Sequence, residues 1–252
     1  SVVGPRLLRN VPRFREMLHT HKGGLFRGSY VCACPDWQND HGEQLLALVD
    51  HTMLPRILER LLDEDQFLSP YGVRSMSKLH DHHRHLGDLP GIGEALIEYV
   101  PGESTSGLFG GNSNWRGPVW FPTNYSLIQA LEKYHRFLGP NFQVEARCLG
   151  GESIHLGQAA KLIAERMVNL YRRGPDGQVP ALRGDSPFQD DPAWKDLYFF
   201  YEYFHGDTGR GLGAAHQTGW TGLVANLVMR GYGLDPRPWG GVDDELCLDV
   251  PV

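Results

Sequence analysis

Thr123-Asn-Tyr-Ser-Leu127-Ile128-Gln-Ala-Leu131-Glu-Lys-Tyr134-His-Arg-Phe-Leu138-Gly139-Pro140 reads as one amphipathic helix. Its apolar side chains at 127, 128, 131, 134 and 138 fall on one face of a 3.6-residue period. Thr123 or Asn124 can cap its start, and Gly139-Pro140 stops it. The pattern recurs on both sides. Residues 154–173 carry Leu162, Ile163, Met167, Leu170 and Tyr171 and end at Gly174-Pro175. Thr218 to Met229 carries Leu223, Val224, Leu227 and Val228 and closes on Gly231 and Gly233. Glu43 to Leu62 shows near-helical spacing too, with Pro55 expected to break or kink it. The fold expected is all-α.

Between these helices lie Gly/Pro-rich connections over 21–42, 69–122 and 174–217. Connections this long are functional or disordered. They hold most of the Trp, Asn, Asp and His residues, which favours long functional loops on a helical scaffold. Short strands are expected within Tyr198–Phe204 and Leu96–Val100. No linker or low-complexity tract interrupts the chain, so residues 1–252 read as a single domain.

The 252 residues are 41% apolar and 21% charged, as in an ordinary globular protein. A net charge of −6 argues against a general nucleic-acid binder. No apolar run approaches the roughly 20 residues of a membrane span. The start, Ser-Val-Val-Gly-Pro-Arg, has neither an initiator Met nor a signal pattern, and suggests an excised fragment. Cys32, Cys34, Cys148 and Cys247 are too few for a disulfide framework, and a reduced, cytoplasmic setting is expected. Gly107–Gly111 matches neither a P-loop nor a dinucleotide fingerprint, so no cofactor is expected. No Gly-x-Ser-x-Gly elbow is present. His80-Asp-His-His-Arg-His85 clusters imidazoles, but adjacent residues rarely form a tetrahedral shell, and no metal is expected.

Leu197-Tyr-Phe-Phe-Tyr-Glu202-Tyr-Phe204 sets one carboxylate among aromatic and apolar residues. In an extended segment Glu202 shares a face with Phe200 and Phe204, where partial burial suits a general base or acid. A strand Glu facing solvent is the other reading. The segment leads through Gly-rich His205–Gly213 to His216, Gln217 and Trp220 at a helix start, polar and stacking groups suited to a ligand. Gly110-Gly-Asn-Ser-Asn114-Trp115-Arg116-Gly-Pro-Val-Trp120 joins amides, a guanidinium and indoles, either a polyol-binding surface or a packed turn. Ser69-Pro-Tyr71-Gly-Val-Arg74-Ser-Met-Ser77 is a structural or substrate-lining turn. Asp36, Asp40 and Glu43 offer carboxylates near Trp37, where cap and surface roles are common.

These four motifs, at 69–77, 110–120, 201–204 and 216–222, resemble glycoside hydrolase family 63 in order and spacing, most closely its bacterial glucosidase-like and mannosylglycerate-hydrolase-like branch. The likeness runs over roughly residues 30 to 232. It implies part of an (α/α)6 toroid and inverting hydrolysis of an α-glucoside or α-mannoside by two carboxylates. By the same likeness Glu202 is the general base, and Trp115, Arg116, Trp120 and Trp220 line the sugar pocket. Tyr71, Asn114, His216 and Gln217 complete the expected binding set. The family's acidic partner is an upstream Asp with no counterpart here, so the acid is expected before Ser1, with Asp36 in reserve. A small carbohydrate is the expected partner. A non-catalytic sugar-binding or scaffold domain is the alternative. A sugar epimerase on the same toroid would use paired His, which the isolated His216 disfavours.

Overall fold

The computed structural model describes residues 2–20, 33–39, 41–47, 49, 52–82, 85–89, 93–104, 115–184, 187–189 and 191–233. Among them helix dominates: α1 (Pro5–Asn10), α2 (Pro12–Thr20), α3 (Met53–Leu61), α4 (Phe121–Leu138), α5 (Leu156–Asn169), α6 (Thr218–Thr221) and α7 (Leu223–Met229). The core centres on α4 against α5. Ala159, Ala160 and Ala164 keep the inner face of α5 shallow, and Phe121, Ile128 and Leu131 of α4 are buried in the same cluster with Ile163 and Met167. Full burial of one such Leu, Ile or Phe contributes about 1.5–3 kcal/mol.

Both central helices are where periodicity put them, but their starts differ. Trp120 is the N-cap of α4, and neither Thr123 nor Asn124 caps it. Asn124 is buried and clamps the 72–73 strand instead: its Oδ1 accepts from Val73 N (2.7 Å) and its Nδ2 donates to Val73 O (2.9 Å). At the start of α5, His155 Nδ1 accepts from Gln158 N (3.2 Å), and Gln158 Oε1 accepts from His155 N (3.0 Å). An imidazole thus does the work of the usual capping hydroxyl.

The 43–62 helix is corrected. Gln44–Leu46 is a strand, and helix begins only at Met53. Pro55 therefore neither breaks nor kinks α3. It lies in the first turn, where its missing amide would have had no intrahelical partner. The last helix is likewise two pieces, α6 and α7, meeting at Gly222.

The fold is mostly helical rather than purely so. Strands β1 (Val2–Val3), β2 (Ala33–Gln38) and β3 (Gln44–Leu46) form an antiparallel sheet in the order β1-β3-β2. Antiparallel two-stranded pairs follow: β4 (Leu68–Ser69) with β5 (Gly72–Val73), β6 (His85–Leu89) with β7 (Gly93–Ile97), β8 (Gln143–Ala146) with β9 (Glu152–His155), and β10 (Tyr203–Phe204) with β11 (Gly211–Leu212). The expected strands at 96–100 and 198–204 reduce to β7, which ends at Ile97, and β10. No helix among the described residues is long and apolar enough to cross a membrane.

Candidate active site

Val119 joins three of the sequence motifs. Its N and O exchange hydrogen bonds with Phe204 O and N (2.8 and 2.9 Å), and it bridges Arg74 on its other side. The fourth motif enters beside Phe200, which pairs with His216 and accepts Gln217 N (2.6 Å). Alternation along the extended backbone then sorts side chains. Val119 and Phe204 belong to the main core, while Trp120 and Tyr203 form a second cluster with Leu212 and Trp220. Trp115 stacks on Trp120 (4.4 Å, 10°), Trp120 on Tyr203 (4.7 Å, 22°), and Trp220 tilts toward Trp120 (6.3 Å).

Glu202 sits half-buried at this junction. Its N donates to Ala214 O (2.8 Å), and its carbonyl accepts Trp220 Nε1–H (2.9 Å). Its Oε2 accepts Ala214 N (3.2 Å), and Thr221 Oγ1 donates to Tyr201 O (2.6 Å). Backbone and carboxylate are therefore held together by the 213–221 segment. The turn glycines make room for the protein's own side chains. A Cβ at Gly213 (φ +69°) would lie 2.7 Å from Glu202 Oε2, one at Gly211 2.0 Å from the Tyr201 ring, and one at Gly209 2.9 Å from the Tyr71 ring.

Tyr203 reports the local charge. Burial pushes its phenol up to about 12, and the negative charges of Glu103 and Glu202 push the same way. Glu103 is thus a second carboxylate at this cluster, on the 101–104 segment pinned by Gly206 N to Pro101 O (2.9 Å) and by Arg116 to Ser104 Oγ (3.1 Å).

Behind the ladder lies a polar lock. Buried Arg74 donates Nε to Tyr99 Oη (3.0 Å), Nη1 to Leu68 O (2.5 Å) and Nη2 to Asp207 Oδ1 (3.0 Å). Tyr99 Oη also donates to Asp207 Oδ1 (3.0 Å). Burial drives the Tyr99 phenol up, against the pull of Arg74.

Among the residues singled out in sequence, Trp115, Trp120 and Trp220 gather into one cluster that reaches Glu202 through the Trp220 indole N–H, and Trp115 keeps 43% exposure. Gln217 and exposed His216 flank the same ladder. Arg116 is 3% exposed, so it braces the site from inside. Tyr71 accepts Arg183 Nη1 (3.1 Å) beside the glycine turn. Asn114 and the side chain of Asp36 lie outside the described residues. The backbone of Asp36 is on β2, and its partner β3 sets Leu45 beside Ser126 and Gln129 of α4. Sequence reading missed Glu103, Tyr203 and Asp207. Tyr203, next to Glu202 in an alternating segment, was the one with a visible signal.

Residues 45–221 match the family model of the mannosylglycerate hydrolase MGH1-like glycoside hydrolase domain. An uncharacterized Saccharomyces cerevisiae protein, YMR196W, is 47% identical over 190 residues, covering 74% of this chain and 17% of that protein. A Schizosaccharomyces pombe protein named probable mannosyl-oligosaccharide glucosidase is 25% identical over 185 residues, covering 73% of this chain and 16% of its own. The mannosyl-oligosaccharide glucosidase of S. cerevisiae is 24% identical over 178 residues, 70% of this chain and 15% of that one. The matched stretch thus spans less than a fifth of these relatives. They are yeast proteins, so they lend the bacterial assignment no support. The resemblance to glycoside hydrolase family 63 holds, and this chain belongs to the family of mannosylglycerate hydrolase MGH1-like glycoside hydrolase domains.

Proposed function

We propose that this chain is one domain of an inverting glycoside hydrolase, part of an (α/α)6 toroid, acting on α-linked glucose or mannose in a small carbohydrate. Glu202 is the general base that activates water, and Trp115, Trp120 and Trp220 form the adjoining sugar wall. The observation that carries this reading is a carboxylate fixed through Ala214 N at the edge of a stacked indole cluster. The relatives named as mannosyl-oligosaccharide glucosidases support the substrate class. The acidic partner would come from another part of the complete protein. Asp36, whose side chain lies outside the described residues, stays in reserve, and an inverting pair would set it about 6.5–9.5 Å from Glu202.

Glu202→Gln in the complete protein tests the assignment. It should cut turnover about 10²–10⁴-fold with little change in melting temperature, since Gln can still accept Ala214 N. Near wild-type hydrolysis would remove Glu202 as the base. A retained anomer as first product by NMR would overturn inversion. A second reading, a sugar-binding or scaffold role for this stretch alone, is favoured by its small share of the relatives' length. Assaying the 252-residue chain beside the complete protein separates the two.

A further inference from the structure

A groove of about 690 Å³ opens where α7 passes α5. Val168 of α5 and Tyr171 just beyond it meet Val224, Val228 and Met229 of α7 there, with Tyr198 beside Tyr171 (6.1 Å). Met229 is 80% exposed and Tyr198 55%. Apolar surface left open to this degree marks a docking face. Its polar groups are already engaged. Tyr171 Oη donates to Phe199 O (3.1 Å), and Arg173 donates to Gly177 O (2.6 Å) and Lys195 O (3.1 Å). A small-molecule site needs polar groups free to orient its ligand, so the groove better fits a polypeptide with apolar side chains.

The chain itself turns into this groove as α7 ends. Gly231 N donates to Val228 O (2.9 Å) and Tyr232 N to Leu227 O (3.1 Å), and Tyr232 Oη donates to Glu132 Oε1 (2.7 Å). That reversal sets Gly233 against α5, where a Cβ would lie 2.5 Å from Val168 Cγ1. Gly233 is the last described residue, and it lines the groove. Whatever follows it in the chain therefore starts at the groove.

The sequence that follows suits the face. Leu234-Asp-Pro-Arg-Pro-Trp239 sets Leu234 next to Gly233 and Trp239 six residues on, at most about 20 Å of chain away. A tryptophan can bury about 150–250 Å² of surface. Pro236 and Pro238 fix their φ beforehand, so less freedom is lost on docking. Charge matches as well. Arg172 and Arg173 stand at the groove, and among the described residues neither has a carboxylate partner. Asp235 and Asp243-Asp-Glu245 supply the acids.

We propose that residues 234–245 of this chain dock in the groove, with Trp239 against Val168, Val224 and Val228 and the acidic residues toward Arg172 and Arg173. Docked there, the segment braces α7 and with it the adjoining α6, whose Trp220 and Thr221 hold the 201–202 backbone. The inference does not depend on the role of Glu202. The test places the photoreactive p-benzoylphenylalanine at Tyr198 of the complete protein, a position distant in sequence from the segment, and maps its cross-links by mass spectrometry after irradiation. A cross-link to the peptide containing Trp239 is expected. Trp239→Ala should lower its yield several-fold, and Arg172→Glu should lower it too. A thermal melt matching the wild type shows that each variant is folded, and the same probe at exposed Met229 takes the place of Tyr198 if that position does not tolerate it. Cross-links to another part of the complete protein or to a second copy, no cross-link at all, or a yield unchanged by either substitution would overturn the proposal.

Discussion

Val119 and Phe204 exchange two backbone hydrogen bonds, 2.8 and 2.9 Å, between segments far apart in sequence. The pair acts in two directions. Its own side chains enter the main core, and the next residues, Trp120 and Tyr203, stack on the opposite side. Core packing and site geometry are therefore one structure at this point, and whatever loosens the ladder moves the aromatic wall beside Glu202.

Asp207 is the outermost member of the lock behind that ladder. It accepts from Arg74 and Tyr99, with Lys78 Nζ 3.8 Å away. Arg74 is 3% exposed and Asp207 31%. Asp207→Asn keeps an acceptor but leaves the guanidinium short of a counter-charge. Hydrogen bonds to charged groups contribute about 1.5–3 kcal/mol, and partial exposure of Asp207 puts the expected loss near 2 kcal/mol. Urea denaturation measures it, and a loss under about 0.5 kcal/mol would show that the lock does not hold the ladder.

Gly213→Ala should damage catalysis beyond its structural cost. Its φ of +69° carries about 1–2 kcal/mol of strain for any L side chain. The new Cβ would also meet Glu202 Oε2 at 2.7 Å and displace the carboxylate. Gly150→Ala is the control, at φ +73° with open space around it. Both variants should lose similar stability, but only Gly213→Ala should lose turnover, tenfold or more by the sensitivity of catalysis to about 1 Å of misplacement. Equal activity in the two would refute this role of the turn.

Much of the scaffold was legible before the structure. Helices α4 and α5 declared themselves because long periodic faces between glycine stops leave little choice. Residues 45–49 did not, because a short apolar run fits strand or helix equally. Pro55 held the missing signal, since a proline inside a helix belongs in its first turn, which puts the start near Thr52. Of hairpin β6/β7 only the end of β7 was anticipated, within a Gly-rich stretch. At the candidate site, motif order singled out Glu202 and the tryptophans. Pairings across the chain, such as Arg74 with Asp207 or Glu103 with Tyr203, leave no local pattern. The glycines of 209–213 admit the side chains of Tyr71, Tyr201 and Glu202, which no local pattern announces.

Trp220→Phe separates the indole N–H from the ring. The variant keeps an aromatic face toward Trp120 but removes the donor to Glu202 O. A neutral hydrogen bond of this kind contributes about 1 kcal/mol, so a small drop in melting temperature is expected. The freed Glu202 backbone should cost turnover more than substrate affinity, so kcat should fall while KM holds. A rise in KM alone would mean that Trp220 contacts sugar and does not position Glu202.

His205 gives the protein an acid-side weakness. Its Nδ1 accepts from Asp207 N (3.2 Å) and Thr208 N (3.4 Å), and Gly102 approaches its ring. Burial lowers its pKa below the usual 6.5, the charge of Arg210 pushes the same way, and Asp207 opposes them. The folded chain therefore binds fewer protons at this residue than the unfolded chain does. The stability tied to neutral His205 is complete above about pH 6.5 and is lost as pH falls through the lower, folded value. Protonation would also turn a ring N–H toward two amide donors. His205→Asn keeps an acceptor for those amides and does not titrate. Melting temperatures at about pH 7.5 and about pH 5 should differ less in the variant than in the wild type, and an equal difference would place the acid sensitivity elsewhere.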